Sequence, residues 1–212
     1  MKTILITTVV LGVVLCGTSF AGNIFTDMRV SKIEYYPNGK IKAEHWKGEH
    51  NLENEFYYPN GNARQVTAWS KDGQIQVVRN NYESGLPLLE LGAQGNQLSV
   101  TKYYPSGKVQ ALGTFDLEEI ISKRNSKTGE VILQMSCIAW DASNRKIYDE
   151  QGNLLQNGVY KEYSEKGKLS AETPLENGKA NGVGKVYAED GTISAEIIYE
   201  NDKEVSRKEY DK

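Results

Sequence analysis

Near the end of the chain apolar side chains fall at every second position, at Ile193, Ala195, Ile197 and Tyr199. A period of two predicts a β-strand with one face turned to a core. The alternation is punctuated by one recurring turn, first met as Tyr35-Tyr36-Pro37-Asn38-Gly39-Lys40-Ile41. Gly39, Gly61, Gly73, Gly107, Gly152, Gly167 and Gly191 each carry an aromatic residue four positions earlier: Tyr35, Tyr57, Trp69, Tyr103, Tyr148, Tyr163 and Tyr187. Two positions after each glycine stands Ile41, Ala63, Ile75, Val109, Leu154, Leu169 or Ile193, all apolar.

A three-residue hairpin accounts for both offsets. Pro37 pre-sets φ for the first turn position, Asn38 suits the second, and Gly39 takes the left-handed conformation of a G1 bulge. Tyr36 then opposes Lys40, and one step out Tyr35 opposes Ile41 as an aromatic and β-branched cross-strand pair. The apolar pairs assign Tyr35 and its counterparts to a dry face. The pairs Tyr36/Lys40, Ser70/Gln74, Asp149/Asn153 and Ser164/Lys168 assign the next position to a wet one. One dry and one wet face mark an antiparallel sheet, since parallel strands read as continuous apolar runs.

The turns recur with a period of about 22 to 23 residues once Gly85 and Gly129 are counted as degenerate members. Midway between them lie further turn-like sites, Gly48, Gly73, Gly95, Gly113, the 141–144 stretch, Gly158 and Gly178. Turns at alternate edges predict an all-β, elongated antiparallel meander of repeated hairpins with about 14–16 strands. At roughly 4.8 Å per strand the sheet is near 70 Å long, wide enough that it must twist and is free to curl or split. Helical spacing is confined to 116–124, through Leu117, Ile120 and Ile121.

Two stretches resemble the variant MORN repeat of bacteria, whose pattern runs roughly Gly-x-x-x-x-Tyr-Tyr-x-x-Gly-x-x-x-x-Glu. They are Tyr35 to Glu44 and Gly182-Val183-Gly184-Lys185-Val186-Tyr187-Ala188-Glu189-Asp190-Gly191, and Gly158 to Tyr163 matches as well. The resemblance covers about residues 31–210. It implies a binding protein of the antitoxin or immunity type found in toxin–antitoxin modules, and eukaryotic MORN repeats imply links to membranes and protein scaffolding. The degenerate middle, at about 79–100 and 112–147, departs from the pattern and is where a partner-specific surface could lie.

The start of the chain has a different character. Lys2, the apolar run from Ile4 to Leu15 and Ser19-Phe20-Ala21 form a signal peptide with a small-x-small cleavage site. The run is too short to span a bilayer, which takes about 20 residues. The domain reading is therefore a signal peptide at 1–21, a linker at 22–30 and a repeat domain at 31–212, in a protein exported to the periplasm or cell envelope. Cys16, directly after the apolar run, offers the alternative of a lipoprotein anchor, although Leu15 is not the small residue such a signal wants. Cleavage after Ala21 leaves Cys137 as the lone thiol, excluding an internal disulfide and favouring a small buried apolar residue.

Composition narrows the chemistry. A net charge of -3 over 212 residues argues against nucleic acid, which requires a concentrated basic face. His45 and His50 stand near one turn without a companion set of metal ligands, and read as solvated strand-end residues. Glu44, Glu172 and Glu196 share the position five after a turn glycine, which points to a structural role such as pairing with Lys161 or Lys185. The glycine-rich 177–185 stretch lacks the Gly-x-x-x-x-Gly-Lys-Ser/Thr pattern of a phosphate loop. No cofactor motif is found, and no catalytic group is assigned.

The wet-face aromatics Tyr36, Tyr58 and Tyr104 remain as candidate binding residues, since tyrosine is enriched in interfaces. The competing account has each ring packing on its turn proline and a facing lysine stem. The expected function is a non-catalytic protein-interaction or immunity-like module in the bacterial envelope. Binding of envelope glycan or lipid headgroups is the alternative, and an enzyme is a third, since a single-layer sheet offers no convergent pocket.

Overall fold

The computed structural model describes residues 28–49, 51–70, 75–94, 97–116, 136–140 and 143–210. Through them run the strands β1 (Arg29–Tyr35), β2 (Ile41–Lys47), β3 (Asn51–Tyr57), β4 (Ala63–Ser70), β5 (Ile75–Asn81), β6 (Pro87–Gln94), β7 (Gln97–Tyr103) and β8 (Val109–Asp116). A short 3-10 turn at Cys137–Ala139 precedes β9 (Lys146–Ile147) and β10 (Gly158–Tyr163). Then come β11 (Leu169–Glu176), β12 (Lys179–Ala180), β13 (Gly182–Tyr187), β14 (Ile193–Glu200) and β15 (Lys203–Glu209). The signal peptide, Cys16, His50, Gly73, Gly95, Gly129 and the helically spaced stretch beyond Asp116 lie outside the described residues, as do most of the linker and most of 112–147.

The turns follow their local chemistry. At the first, Gly39 has φ +81, its N–H donates to the Tyr36 carbonyl at 2.9 Å, and the Tyr36 N–H donates to the Lys40 carbonyl at 2.8 Å. The same two bonds close the turns at Gly61, Gly85, Gly107, Gly152, Gly167 and Gly191. The cross-strand pairs Tyr35/Ile41, Tyr57/Ala63, Tyr103/Val109, Tyr163/Leu169 and Tyr187/Ile193 form as the offsets require.

The meander divides into two sheets. Strands β1 to β9 form a nine-stranded antiparallel sheet in sequence order. The second is six-stranded in the order β10-β11-β13-β14-β15, with β12 also paired to β11. The break falls where β9 supplies only two residues of ladder, Ala111↔Ile147 and Leu112↔Lys146. Open sheets beyond about ten strands tend to curl or split, and this one splits and folds back on itself.

Register fixes which side chains meet between the sheets. One row of Cα partners runs Glu34, Ala43, Phe56, Gln65, Asn80, Leu89, Lys102, Ala111 and Ile147 across β1 to β9. The row beside it includes Val78, Leu91 and Val100. The second sheet covers the middle of this face with Tyr160, and Trp69, Leu98, Trp140, Leu175 and Ala180 complete the core. Cross-sheet bonds lock the arrangement: Gln110 Nε2 donates to the Lys161 carbonyl at 2.6 Å, and the Glu83 N–H donates to the Glu165 carbonyl at 2.8 Å. Arg145, buried, donates to the carbonyls of Ile138 (2.6 Å), Trp140 (3.0 Å) and Gly178 (3.1 Å) and pairs with Asp202 in the β14–β15 turn.

The dry and wet faces are the reverse of the sequence expectation at most of the turns, whereas Trp69, the aromatic of the Gly73 repeat, is 0% exposed in the core as expected. Tyr35 is 59% exposed, whereas Tyr58 and Tyr104 are 4% and 3% exposed. The face follows from the register of each strand against its neighbours in the sheet, not from the turn, because the same bulge stands beside the outward Tyr35 and the buried Trp69. At the first turn Glu34 opposes Ala43 while Tyr35, across the bulge, opposes Ile41 on the outer face. Core-facing positions are set by Ala43, Leu89 and Ala111 instead.

Candidate interaction surfaces

The tyrosines three positions before the turn glycines form a ladder under the turns. The hydroxyl of Tyr36 donates to the Tyr57 carbonyl, Tyr58 to Asn81, Tyr82 to Tyr103 and Tyr104 to Tyr148, each at 2.7 Å. Each bond links one hairpin to the next, because every acceptor sits at the equivalent place four residues before the following turn glycine. Three of the rings are fully packed: Tyr58, Tyr82 and Tyr104. The placement of Tyr36, Tyr58 and Tyr104 on a wet face is therefore corrected. Tyr36 is half-buried, and all three hydroxyls are spent on backbone carbonyls. Nor do the facing lysines serve as ring supports alone, since Lys40 Nζ donates to the Asn60 carbonyl (3.1 Å) and Lys108 Nζ to that of Glu150 (2.9 Å), bonding turn to turn.

Of the tyrosines one position earlier, Tyr57, Tyr103 and Tyr187 point outward and Tyr163 packs on the core edge-on to Tyr104 at 6.0 Å; all four take carboxylate partners, as does Tyr210 just beyond β15. Tyr57 donates to Glu44 (2.8 Å), Tyr103 to Glu90 (2.6 Å), Tyr163 to Glu150 (2.6 Å), Tyr187 to Glu172 (2.7 Å) and Tyr210 to Glu196 (2.6 Å). Glu44, Glu172 and Glu196 thus have a repeated structural role, with a tyrosine hydroxyl as the partner. Lys161 and Lys185 lie opposite Glu172, and Lys185 also lies opposite Glu196, as strand neighbours. His45 departs from the expectation of a solvated strand end. It is half-buried within β2, with Nδ1 2.6 Å from Asn54 Oδ1 and Nε2 3.3 Å from Glu34 Oε1.

On the first sheet the outer face carries one row of Cα partners from Ile33 through Glu44, Glu55, Val66, Arg79, Glu90, Thr101 and Leu112 to Lys146. Exposed apolar side chains stand at its two ends: Val30, Ile33 and Tyr35 at one, Val109 and Leu112 at the other. Between them Glu44, Glu53, Glu55 and Tyr57 crowd together, the Tyr57 hydroxyl also lying against Glu55. Burial and the neighbouring Glu55 push the Glu53 carboxyl up to about 7. Arg79 pairs with Glu90 in the middle of the row.

Sequence reasoning passed over a polar cluster inside the molecule. Lys102 Nζ, on β7, lies 2.8 Å from Glu162 Oε1 on β10 and 3.3 Å from the Tyr160 hydroxyl. The Cys137 N–H donates to the same carboxylate oxygen at 3.3 Å. Lys102 is 2% exposed and Cys137 and Tyr160 are 0%. Burial pushes the Cys137 thiol up to about 12, which suits the expected inert, buried residue. The one local signal was Lys102 at a position whose neighbours in register, Leu89 and Ala111, are apolar.

Comparison with protein families finds the MORN repeat variant at residues 32–45, 98–116 and 156–177. Each match falls on one aromatic-turn hairpin: β1–β2, β7–β8 and β10–β11. No curated protein matches the chain.

Proposed function

We propose that this chain, three of whose hairpins match the MORN repeat variant, is a non-catalytic binding module that presents the outer face of its first sheet to another protein in the bacterial cell envelope. One observation carries the reading. The middle of the two inner faces is consumed by packing, while the outer face leaves Ile33 at 37%, Tyr35 at 59% and Leu112 at 37% exposed on a surface that runs across nine strands. Exposed apolar side chains rimmed by charged ones are a mark of interaction surfaces. The glutamates and arginine of the central row supply the polar part of such a contact.

The envelope part of the reading rests on Lys2, the apolar run that follows it and Ser19-Phe20-Ala21. Mass spectrometry of the mature N-terminus distinguishes cleavage after Ala21 from acylation at Cys16. The immunity-like role is drawn from the repeat family, and finding a toxin gene beside this one would support it.

The face is tested by pull-down from envelope extract with the wild type and with Ile33→Asp/Tyr35→Ala and Leu112→Asp variants, folding being checked by circular dichroism. Loss of the recovered partner supports the assignment; recovery of the same partner by both folded variants removes this face from consideration. The exposed Tyr35 ring also favours a second reading, in which it stacks on a sugar of the envelope glycan. Sedimentation with purified cell wall and with liposomes decides that version, and no binding to either sinks it.

A further inference from the structure

On the outer face of the second sheet, β10, β11, β13, β14 and the edge strand β15 contribute one residue each to a row of alternating charge: Lys161, Glu172, Lys185, Glu196 and Lys208, consecutive Cα partners. A parallel row is apolar, with Val159 opposite Pro174 on β10–β11 and Val183 opposite Ile198 on β13–β14. Val159 and Val183 are 49% exposed and Ile198 42%. Apolar side chains exposed together and bordered by a charged row mark an interaction surface.

The sequence of charges says what docks there. A two-fold axis lying in the face, parallel to the strands and midway between β11 and β13, carries β10 onto β14 of a second copy and β11 onto β13. Such an axis preserves position along the strands, so each row meets its own kind. Lys161 then faces the partner's Glu196 and Glu172 the partner's Lys185. In the neighbouring row Val159 faces the partner's Ile198 and Val183 the partner's Pro174. Across β10, β11, β13 and β14 every charge of the row meets its opposite and every apolar group meets an apolar one, with β15 left at the rim. The four charges on β10, β11, β13 and β14 sum to zero, and Lys208 on the edge strand β15 lies outside the contact, over the Tyr210 ring. The carboxylates are already oriented, Glu172 by the Tyr187 hydroxyl at 2.7 Å and Glu196 by that of Tyr210 at 2.6 Å.

We infer that the outer face of the second sheet is a self-complementary surface on which a second copy of this chain docks, sheet on sheet, across a two-fold axis. An isologous contact of this kind closes after two copies, and aligned sheets pack about 10 Å apart. Four strands of about six residues offer roughly 400 Å² of plan area per copy. That lies at the low end for specific interfaces and gives a weak, concentration-dependent dimer. The first sheet's outer face stays free, so the proposal stands independently of the partner-binding reading above.

Sedimentation velocity of the purified chain over a concentration series tests it. The expected weight-average mass climbs from one chain towards two. Glu172→Lys alone and Lys185→Glu alone each place like charges across the axis twice and weaken the dimer at least about tenfold. An equimolar mixture of the two variants restores every opposite pair, as does the double variant, and both return to wild-type strength. Val183→Lys, in the apolar row, weakens the dimer without touching a charge and serves if a charge variant folds poorly. A mass of one chain up to about 1 mM overturns the proposal. So does a dimer unchanged by Lys185→Glu and Val183→Lys, or a mixture that stays monomeric.

Discussion

The Tyr58 hydroxyl donates to the Asn81 carbonyl at 2.7 Å, 23 residues away, from a ring that is 4% exposed. The bond ties the turn of one hairpin to the end of the next, and it recurs at Tyr36, Tyr82 and Tyr104. Removing the hydroxyl alone leaves the Asn81 carbonyl without this donor. Tyr58→Phe is expected to cost about 1–2 kcal/mol, and Tyr58→Ala, which also opens a cavity, about 3–5 kcal/mol. Tyr35→Ala, at the neighbouring but exposed position, is expected to change stability by no more than about 0.5 kcal/mol. Urea unfolding of the three variants checks the ordering, and a Tyr35 cost equal to that of Tyr58 contradicts the face assignment.

The turn was legible because its chemistry is local: proline, asparagine and glycine at successive positions dictate the hairpin wherever the chain goes next. The face was not, because the same bulge stands beside the outward Tyr35 and the buried Trp69, so the side is set by register against strands and a second sheet that the turn does not touch. A clue to the division into two sheets was nonetheless present. The ladder position holds tyrosine at 36, 58, 82 and 104 but Asp149, Ser164 and Ala188 afterwards, and the change coincides with the end of the first sheet. Lys102 and Glu162 are 60 residues apart, so nothing local announces that they meet.

That pair makes the second prediction. Lys102→Met leaves Glu162 beside Tyr160 and Cys137 without its cation, and an uncompensated buried charge costs about 3–5 kcal/mol. Adding Glu162→Gln removes the charge while keeping a carbonyl oxygen to accept from the Cys137 N–H. The double variant is expected to recover most of the loss. Chemical denaturation of both variants measures the coupling, and additive losses argue that the two side chains act independently.

Gly113 gives a prediction about packing. A Cβ built on it meets Trp140 Cε3 at 2.5 Å and Cζ3 at 2.9 Å, and the Trp140 ring is held on its other contacts by Phe115, edge-on at 5.3 Å. Gly113→Ala therefore pushes the indole out of its site, with an expected loss of about 1–3 kcal/mol and an altered tryptophan emission maximum. Gly92→Ala is the control, since its Cβ meets only Ser99 Oγ at 3.6 Å. Equal effects at the two glycines mean that strand propensity, not the clash with Trp140, sets the cost.

Glu53 makes stability depend on pH in a direction opposite to that of most carboxylates. Its ordinary value is 4.5, and in the fold it is pushed up to about 7 by burial and by Glu55. Between those values the folded chain holds a proton that the unfolded chain has released. Its contribution is fully present below 4.5, is lost as pH rises towards 7, and is flat above that. The loss amounts to about 1–3 kcal/mol. Glu34, Asp149 and Glu204, all held below their usual range by hydrogen bonds or charged neighbours, act in the other sense but only at more acidic pH. The urea midpoint of the wild type is therefore expected to fall between pH 5 and pH 7. Glu53→Gln, which cannot ionise, removes that slope and is more stable than the wild type at pH 8. A slope that survives the substitution assigns the titration to another group.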